Sequence, residues 1–147
     1  MKRVDFYQLS RDPAERVIPL IAANVKKAGG RVLVVSADAE QLARTDKALW
    51  DMQPDAFLAH GFAGQPHAER QPILLSGTCE AENGAGFVAF ADGQWRDEAF
   101  GFERAFLLFD SATLDGARAC WRMLGEREEV PERHFWLQDG GRWREGP

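Results

Sequence analysis

The chain of 147 residues is poor in cysteine, histidine, tyrosine, lysine and net positive charge, and each scarcity excludes something. Its two cysteines, Cys79 and Cys120, stand far apart without CxxC spacing. That excludes a disulfide framework and predicts a thiol-reduced protein with two small buried side chains. The three histidines, His60, His67 and His134, show neither HxxxH nor HxE spacing, so no pair of imidazoles lies on one helical face to grip a metal. No apolar run approaches the ~18 residues of a membrane span, and the opening Met-Lys-Arg-Val-Asp-Phe-Tyr has no apolar region behind its charges; a cytoplasmic protein with no membrane partner is expected. A formal net charge of -5 and a pI near 5.2 argue against a uniformly basic surface, and with it against direct strong nucleic-acid binding. The lysines end at Lys47, so every later base is an arginine.

What is present is a soluble, well-cored composition, 45% hydrophobic and 28% charged, at the length of one domain. The order of predicted elements is that of an α/β fold. Val4 to Leu9 reads as a strand, and Ser10-Arg11-Asp12-Pro13 starts a helix that runs to Gly29-Gly30, in which Pro19 either kinks the middle or marks where the first turn begins. Arg31 to Ser36 is a short β-branched run suited to a buried parallel strand. Asp38 and Gln41 form a plausible capping box for a helix carrying Leu42, Leu49 and Trp50. Met52 to Gln71 reads as a long aromatic loop, and loops of that kind usually carry function. Strands are expected at Pro72–Ser76, Gly86–Ala91 and Arg104–Asp110. A helix follows from about Ser111 to Arg127, then a hairpin, His134–Gln138 and Arg142-Trp143 around Asp139-Gly-Gly. The expected architecture is a single three-layer Rossmann-like domain with a mostly parallel sheet, plus a C-terminal helix and a short hairpin.

Tests for chemistry mostly fail. No GxGxxG or GxxxxGK[ST] loop follows a strand, no serine lies in a GxSxG elbow, and Cys120 falls on the apolar side of its helix. Asp38, Asp92 and Asp110 stand at predicted strand ends, where three carboxylates could hold magnesium beside a nucleotide; an enzyme with such a site is the alternative reading. The same three residues also suit helix and turn starts: Asp38 and Asp110 before helices, Asp92 before Gly93. No cofactor is expected.

The last helix carries a face. At 100° per residue, Thr113, Ala117, Cys120 and Leu124 form a core stripe with Leu114 and Trp121 on its edge, and Arg118 and Arg122 fall together on the adjoining side. An aromatic wall beside two guanidinium groups suits an acidic peptide ending in an apolar side chain and a carboxylate. A solvated arginine face beside a core tryptophan would show the same spacing.

With these residues in view, the chain resembles the chi subunit family of bacterial DNA polymerase III. The similarity is carried by Val4-Asp-Phe-Tyr7, Arg31-Val-Leu-Val34, Ala48-Leu49-Trp50, Phe57-Leu58-Ala59-His60-Gly61, Ala63-Gly64, Pro72-Ile-Leu-Leu75, Gly101-Phe-Glu-Arg104, Leu108-Phe-Asp110 and the Arg118/Trp121/Arg122 helix, most specifically by the block from Ala48 to Gly64. The resemblance implies a Rossmann-like fold without a working nucleotide site, and a non-catalytic, clamp-loader-associated subunit. It implies that Arg118, Trp121 and Arg122 bind the acidic C-terminal tail of single-stranded DNA-binding protein. It also implies that Trp50 and Phe57 contact the psi subunit, or a helicase competing for the same surface. Three features depart from the family: Gly125 interrupts the predicted helix, Glu126, Glu128 and Glu129 make its end acidic, and the terminal hairpin with Asp139-Gly-Gly is longer than in the shorter members, so contacts made by their last residues do not carry over.

Overall fold

A computed structural model describes residues 1–51 and 58–146. One eight-stranded sheet organises them, built from β1 (Arg3–Gln8), β2 (Val32–Val35), β3 (His60–Phe62), β4 (Ile73–Ser76), β5 (Phe87–Phe90), β6 (Arg104–Phe109), β7 (Glu132–Asp139) and β8 (Arg142–Glu145). The spatial order is β3-β4-β2-β5-β6-β1-β7-β8. All neighbours run parallel except the β7–β8 hairpin, whose tight turn allows antiparallel pairing.

Helices cover both faces. α1 (Ala14–Lys27) and α2 (Ala39–Asp51) lie on one side, and α3 (Leu114–Gly125) lies on the other. Every residue of β2 is buried, as a strand between two covered faces requires. Alternation along β1 sends Val4 and Phe6 into the α3 layer and Tyr7 into the α1 layer. In α1, Val17, Ile18, Ile21, Ala22 and Val25 fill the core at helical spacing; Pro19 is buried within the helix and does not mark its start. Gly29, at φ +77°, ends α1 in the left-handed cap that glycine adopts without strain, and the Gly30 N–H donates back to Val25 O at 3.0 Å.

Three expectations change. The segment 52–71, read as loop, holds β3 and a 3₁₀ turn (Ala68–Arg70) among its described residues. Pairing with β4 stabilises β3, and no local pattern in so short a strand announces it. The last helix is shorter than Ser111–Arg127: a 3₁₀ turn (Ser111–Thr113) precedes α3, and Gly125 is its final residue, not an interruption. The Asp38/Gln41 capping box does not form. Asp38 Oδ1 accepts from Glu40 N at 3.0 Å, but the Gln41 side chain turns to Ser36 Oγ (2.5 Å) and Ala91 O (2.9 Å), tying α2 to the sheet.

The hairpin is bolted to the sheet by one carboxylate. Asp5, fully buried, accepts from Arg3 Nη2 at 2.9 Å, Arg104 Nε at 2.7 Å and Trp136 Nε1 at 3.0 Å, which joins β1, β6 and β7. Burial alone would push this carboxyl up, but the bonds from Arg3, Trp136 and Arg104 outweigh it and hold the group below the ordinary aspartate range.

Candidate functional site

Two concave regions merit comparison. The larger, about 440 Å³, lies beyond the C-terminal ends of β1, β5 and β6, where open α/β sheets usually receive ligands. Its lining includes Arg11, Asp12, Glu15, Gln41, Arg44, Asp92 and Asp110. Most of these groups are already engaged. The N–H groups of Arg11 and Asp12 point at Gln138 Oε1, 3.0 and 3.2 Å away, and Gln138 Nε2 donates to Asp12 at 2.8 Å. An amide oxygen from the hairpin thus occupies the position at the first strand–helix turn that a phosphate takes in dinucleotide folds.

The three aspartates of the alternative reading serve structure. Asp92 is clamped by both Nη atoms of Arg96 (2.8 and 3.0 Å), accepts from Ala37 N at 2.9 Å, and opens a turn at Gly93. Burial pushes the Asp92 carboxyl up, yet the Arg96 and backbone bonds hold it below the ordinary range. Asp110 caps the turn before α3 by accepting from Ala112 N (3.0 Å) and Thr113 N (3.2 Å), while Asp110 N donates to Thr113 Oγ1 (3.0 Å). Asp38 caps Glu40 and lies 3.8 Å from Arg44 Nη2. Among the described residues, no three of His, Cys, Asp and Glu converge as a metal site.

The cysteines are no better placed for chemistry. Burial pushes the Cys79 thiol up to about 11 and the Cys120 thiol up to about 12, so neither offers a thiolate near neutral pH.

The smaller region, about 170 Å³, lies between α3 and strands β1, β6 and β7. Phe6, Phe109, Leu114, Ala117 and Phe135 give it an apolar lining, with Gln8, Trp121 and Arg118 completing it. Trp121 is packed edge-on to Phe6 (5.1 Å, 64°) and perpendicular to Phe135 (6.4 Å, 90°). Ala117, one turn earlier, is small enough to leave the space open. Arg118 is exposed at the rim, and among the described residues its guanidinium makes no ion pair or hydrogen bond. Arg122 is likewise exposed and unpaired one turn on, outside the lining. The structure therefore brings Arg118 and Trp121 to one groove and leaves Arg122 beside it.

Sequence reasoning missed two contributors from the hairpin. Phe135 lines the groove, and Arg133 sets its guanidinium 4.6 Å above the Trp121 ring. Hairpin spacing announces the β7–β8 pair, but not the parallel pairing of β7 with β1 that brings Phe135 opposite Phe6.

Trp50 is 56% exposed on the last turn of α2, its ring 4.8 Å from that of His60. The His60 ring is buried beneath it, bonded to Leu58 O (2.8 Å) and Asp46 (2.7 Å). Phe57, paired with Trp50 in the sequence reading, lies outside the described residues. Among the described residues no helix is long and apolar enough to cross a membrane.

Comparison with known proteins places this geometry. The C-terminal domain of Saccharomyces cerevisiae Dbp5, in a structure with Gle1 and IP6, superposes with a TM-score of 0.53, covering 92% of this chain and 90% of that one. At 13% identity that likeness shows the fold alone. DNA polymerase III subunit chi of Escherichia coli (strain K12) is 35% identical over 83 residues, a match that spans 52% of this chain and 56% of that relative's length. The profile of the family described as DNA polymerase III chi subunit, HolC, matches residues 1–130, from β1 through α3 to the turn before the hairpin. By that match this chain belongs to the DNA polymerase III chi subunit family.

Proposed function

We propose that this chain is a non-catalytic accessory of the replicative polymerase that holds the acidic C-terminal tail of single-stranded DNA-binding protein in the groove between α3 and β7. The observation that carries the reading is an apolar pocket of about 170 Å³ with an unpaired arginine, Arg118, at its rim and Trp121 as one wall. A cavity of about 150 Å³ admits a benzene-sized group, so the pocket has room for one large apolar terminal side chain. The adjacent guanidinium can take the terminal carboxylate through two parallel N–H bonds. Arg122, one turn along α3, extends the positive strip toward the acidic residues that precede the chain end.

Assembly into the clamp loader belongs to the opposite side of the sheet. There the exposed Trp50 offers an aromatic anchor of the kind that dominates interfaces, and we assign it to a psi-type subunit, for which a helicase would compete. The acidic balance, -5 overall, supports a protein that reaches single-stranded DNA through its binding protein and has little direct affinity for nucleic acid.

Calorimetric titration with the tail peptide of the host's single-stranded DNA-binding protein tests the reading. Binding is expected, weakening with added salt and on deletion of the last residue, because both the carboxylate and the terminal side chain are held. Equal affinity of the intact and truncated peptides would refute it.

A further inference from the structure

We propose, on the reading that this groove holds an acidic peptide tail, that Arg133 of β7 is a positioning residue for that ligand. Seated on the Trp121 ring and bonded to the Trp121 carbonyl, it fixes the aromatic wall of the pocket, and glycine at position 125 is what admits it. Arg133 lies just beyond residues 1–130, the span matched by the family profile.

The geometry is specific. Arg133 stands opposite Val4 in the parallel β1–β7 register, two residues before the pocket-lining Phe135 and on the same face of the sheet. Its Cζ lies 4.6 Å above the Trp121 ring and its Nη1 donates to Trp121 O at 2.8 Å. That carbonyl lies just before the last turn of α3, and the cation sits near the negative end of the helix dipole. Arg133, Phe6 and Phe135 thus hold the indole from three directions, while its remaining surface faces the pocket. Without the guanidinium the ring has space to swing, and the shape complementary to a terminal side chain is lost.

Gly125 supplies the room. A Cβ built there would meet Arg133 Nη1 at 2.8 Å and Cζ at 3.3 Å. Gly125 is not among the glycines with positive φ, so its absent side chain, not its backbone freedom, is what the site uses. The glycine that looks like a defect in the helix is the opening through which a strand residue reaches the site.

The test is a titration of the tail peptide against wild type, Arg118→Glu, Arg133→Met, Arg133→Lys and Gly125→Ala. It is combined with the Trp121 indole ¹H–¹⁵N resonance of each free protein. Arg133→Met should weaken binding about fivefold, in line with a partly desolvated cation–π contact. Gly125→Ala should match it, since the alanine displaces only the end of a flexible side chain and otherwise favours the helix. Arg133→Lys, which keeps the charge but not the planar stack, should recover only part of the loss. In all three the Trp121 indole signal should broaden before peptide is added, as a ring freed to swing requires; a charge removed beside a ring that stays fixed would shift the signal without broadening it. Wild-type affinity in both Arg133→Met and Gly125→Ala, with binding weakened at least about tenfold by Arg118→Glu, overturns the role of Arg133 while leaving the groove assignment intact. Absence of binding by the wild type overturns both.

Discussion

The crevice at the strand ends and the groove beside α3 differ in what their polar groups are doing. The crevice is the larger, about 440 against 170 Å³, and stands where α/β sheets usually bind ligands. Its Asp110 caps the turn before α3, its Asp92 clamps an arginine, its Asp12 accepts from Gln138, and its first-turn amides are held by the Gln138 oxygen. The groove is small and mostly apolar, and the one charged group in its lining, Arg118, has no partner among the described residues. Size and topological position thus point one way, and unspent hydrogen-bonding capacity points the other. A donor already satisfied within the fold gains little from a ligand, whereas a free guanidinium beside an apolar hole gains a charge-assisted bond and buries a side chain together.

One hairpin produces both outcomes. Gln138 closes the crevice, while Arg133 and Phe135 build the groove, and Asp5 anchors the hairpin by accepting from Trp136. Asp5→Asn therefore has the largest expected effect. Loss of a buried charge facing two arginines should cost on the order of 2–3 kcal/mol, below the full value for a buried pair because both arginines reach solvent. The pH dependence follows from the depressed Asp5 carboxyl. Its stabilisation is fully present above the unfolded value near 4 and is lost as pH falls through the lower folded value. Denaturant melts between about pH 2 and 6 should show a shallower acid slope in Asp5→Asn than in wild type.

Charge reversal separates the two regions more sharply. Arg118→Glu should lower affinity for the tail peptide at least about tenfold, the scale of one charge-assisted bond, while Arg11→Glu at the crevice should leave it within about twofold. Fluorescence anisotropy reads both, and a larger loss in Arg11→Glu would invert the comparison.

Gln138→Ala should cost about 1 kcal/mol in a denaturant melt, since it removes an acceptor shared by amides that water then reaches, and should leave peptide affinity unchanged. The smallest expected effect is that of magnesium with a nucleotide: no rise in Tm for wild type. A clear, concentration-dependent rise, lost in Asp92→Asn, would reopen the crevice as a site.

The layers of the fold were legible because their patterns are local. The buried runs at β2 and β4, the helical spacing of α1 and the Ala117/Cys120/Leu124 stripe each follow from a short segment. Half of the groove was legible for the same reason, since Arg118 and Trp121 share one turn of one helix. The other half depends on which strand lies beside β1. Phe135 and Arg133 meet Trp121 only through the β1–β7 register, and no spacing within either segment encodes that pairing. Gly125 shows the same limit: as sequence it reads as a weak point in a helix, and only the approach of Arg133 gives the missing Cβ a purpose.

Mapping on ¹⁵N-labelled protein distinguishes the groove from the crevice as the place where the ligand is received. Addition of the tail peptide should move the Trp121 indole and the amides of Ala117, Arg118 and Phe135, leaving those of Ser10, Arg11 and Asp12 in place. Perturbations centred on residues 10–12, or none at saturating peptide, would contradict the groove assignment.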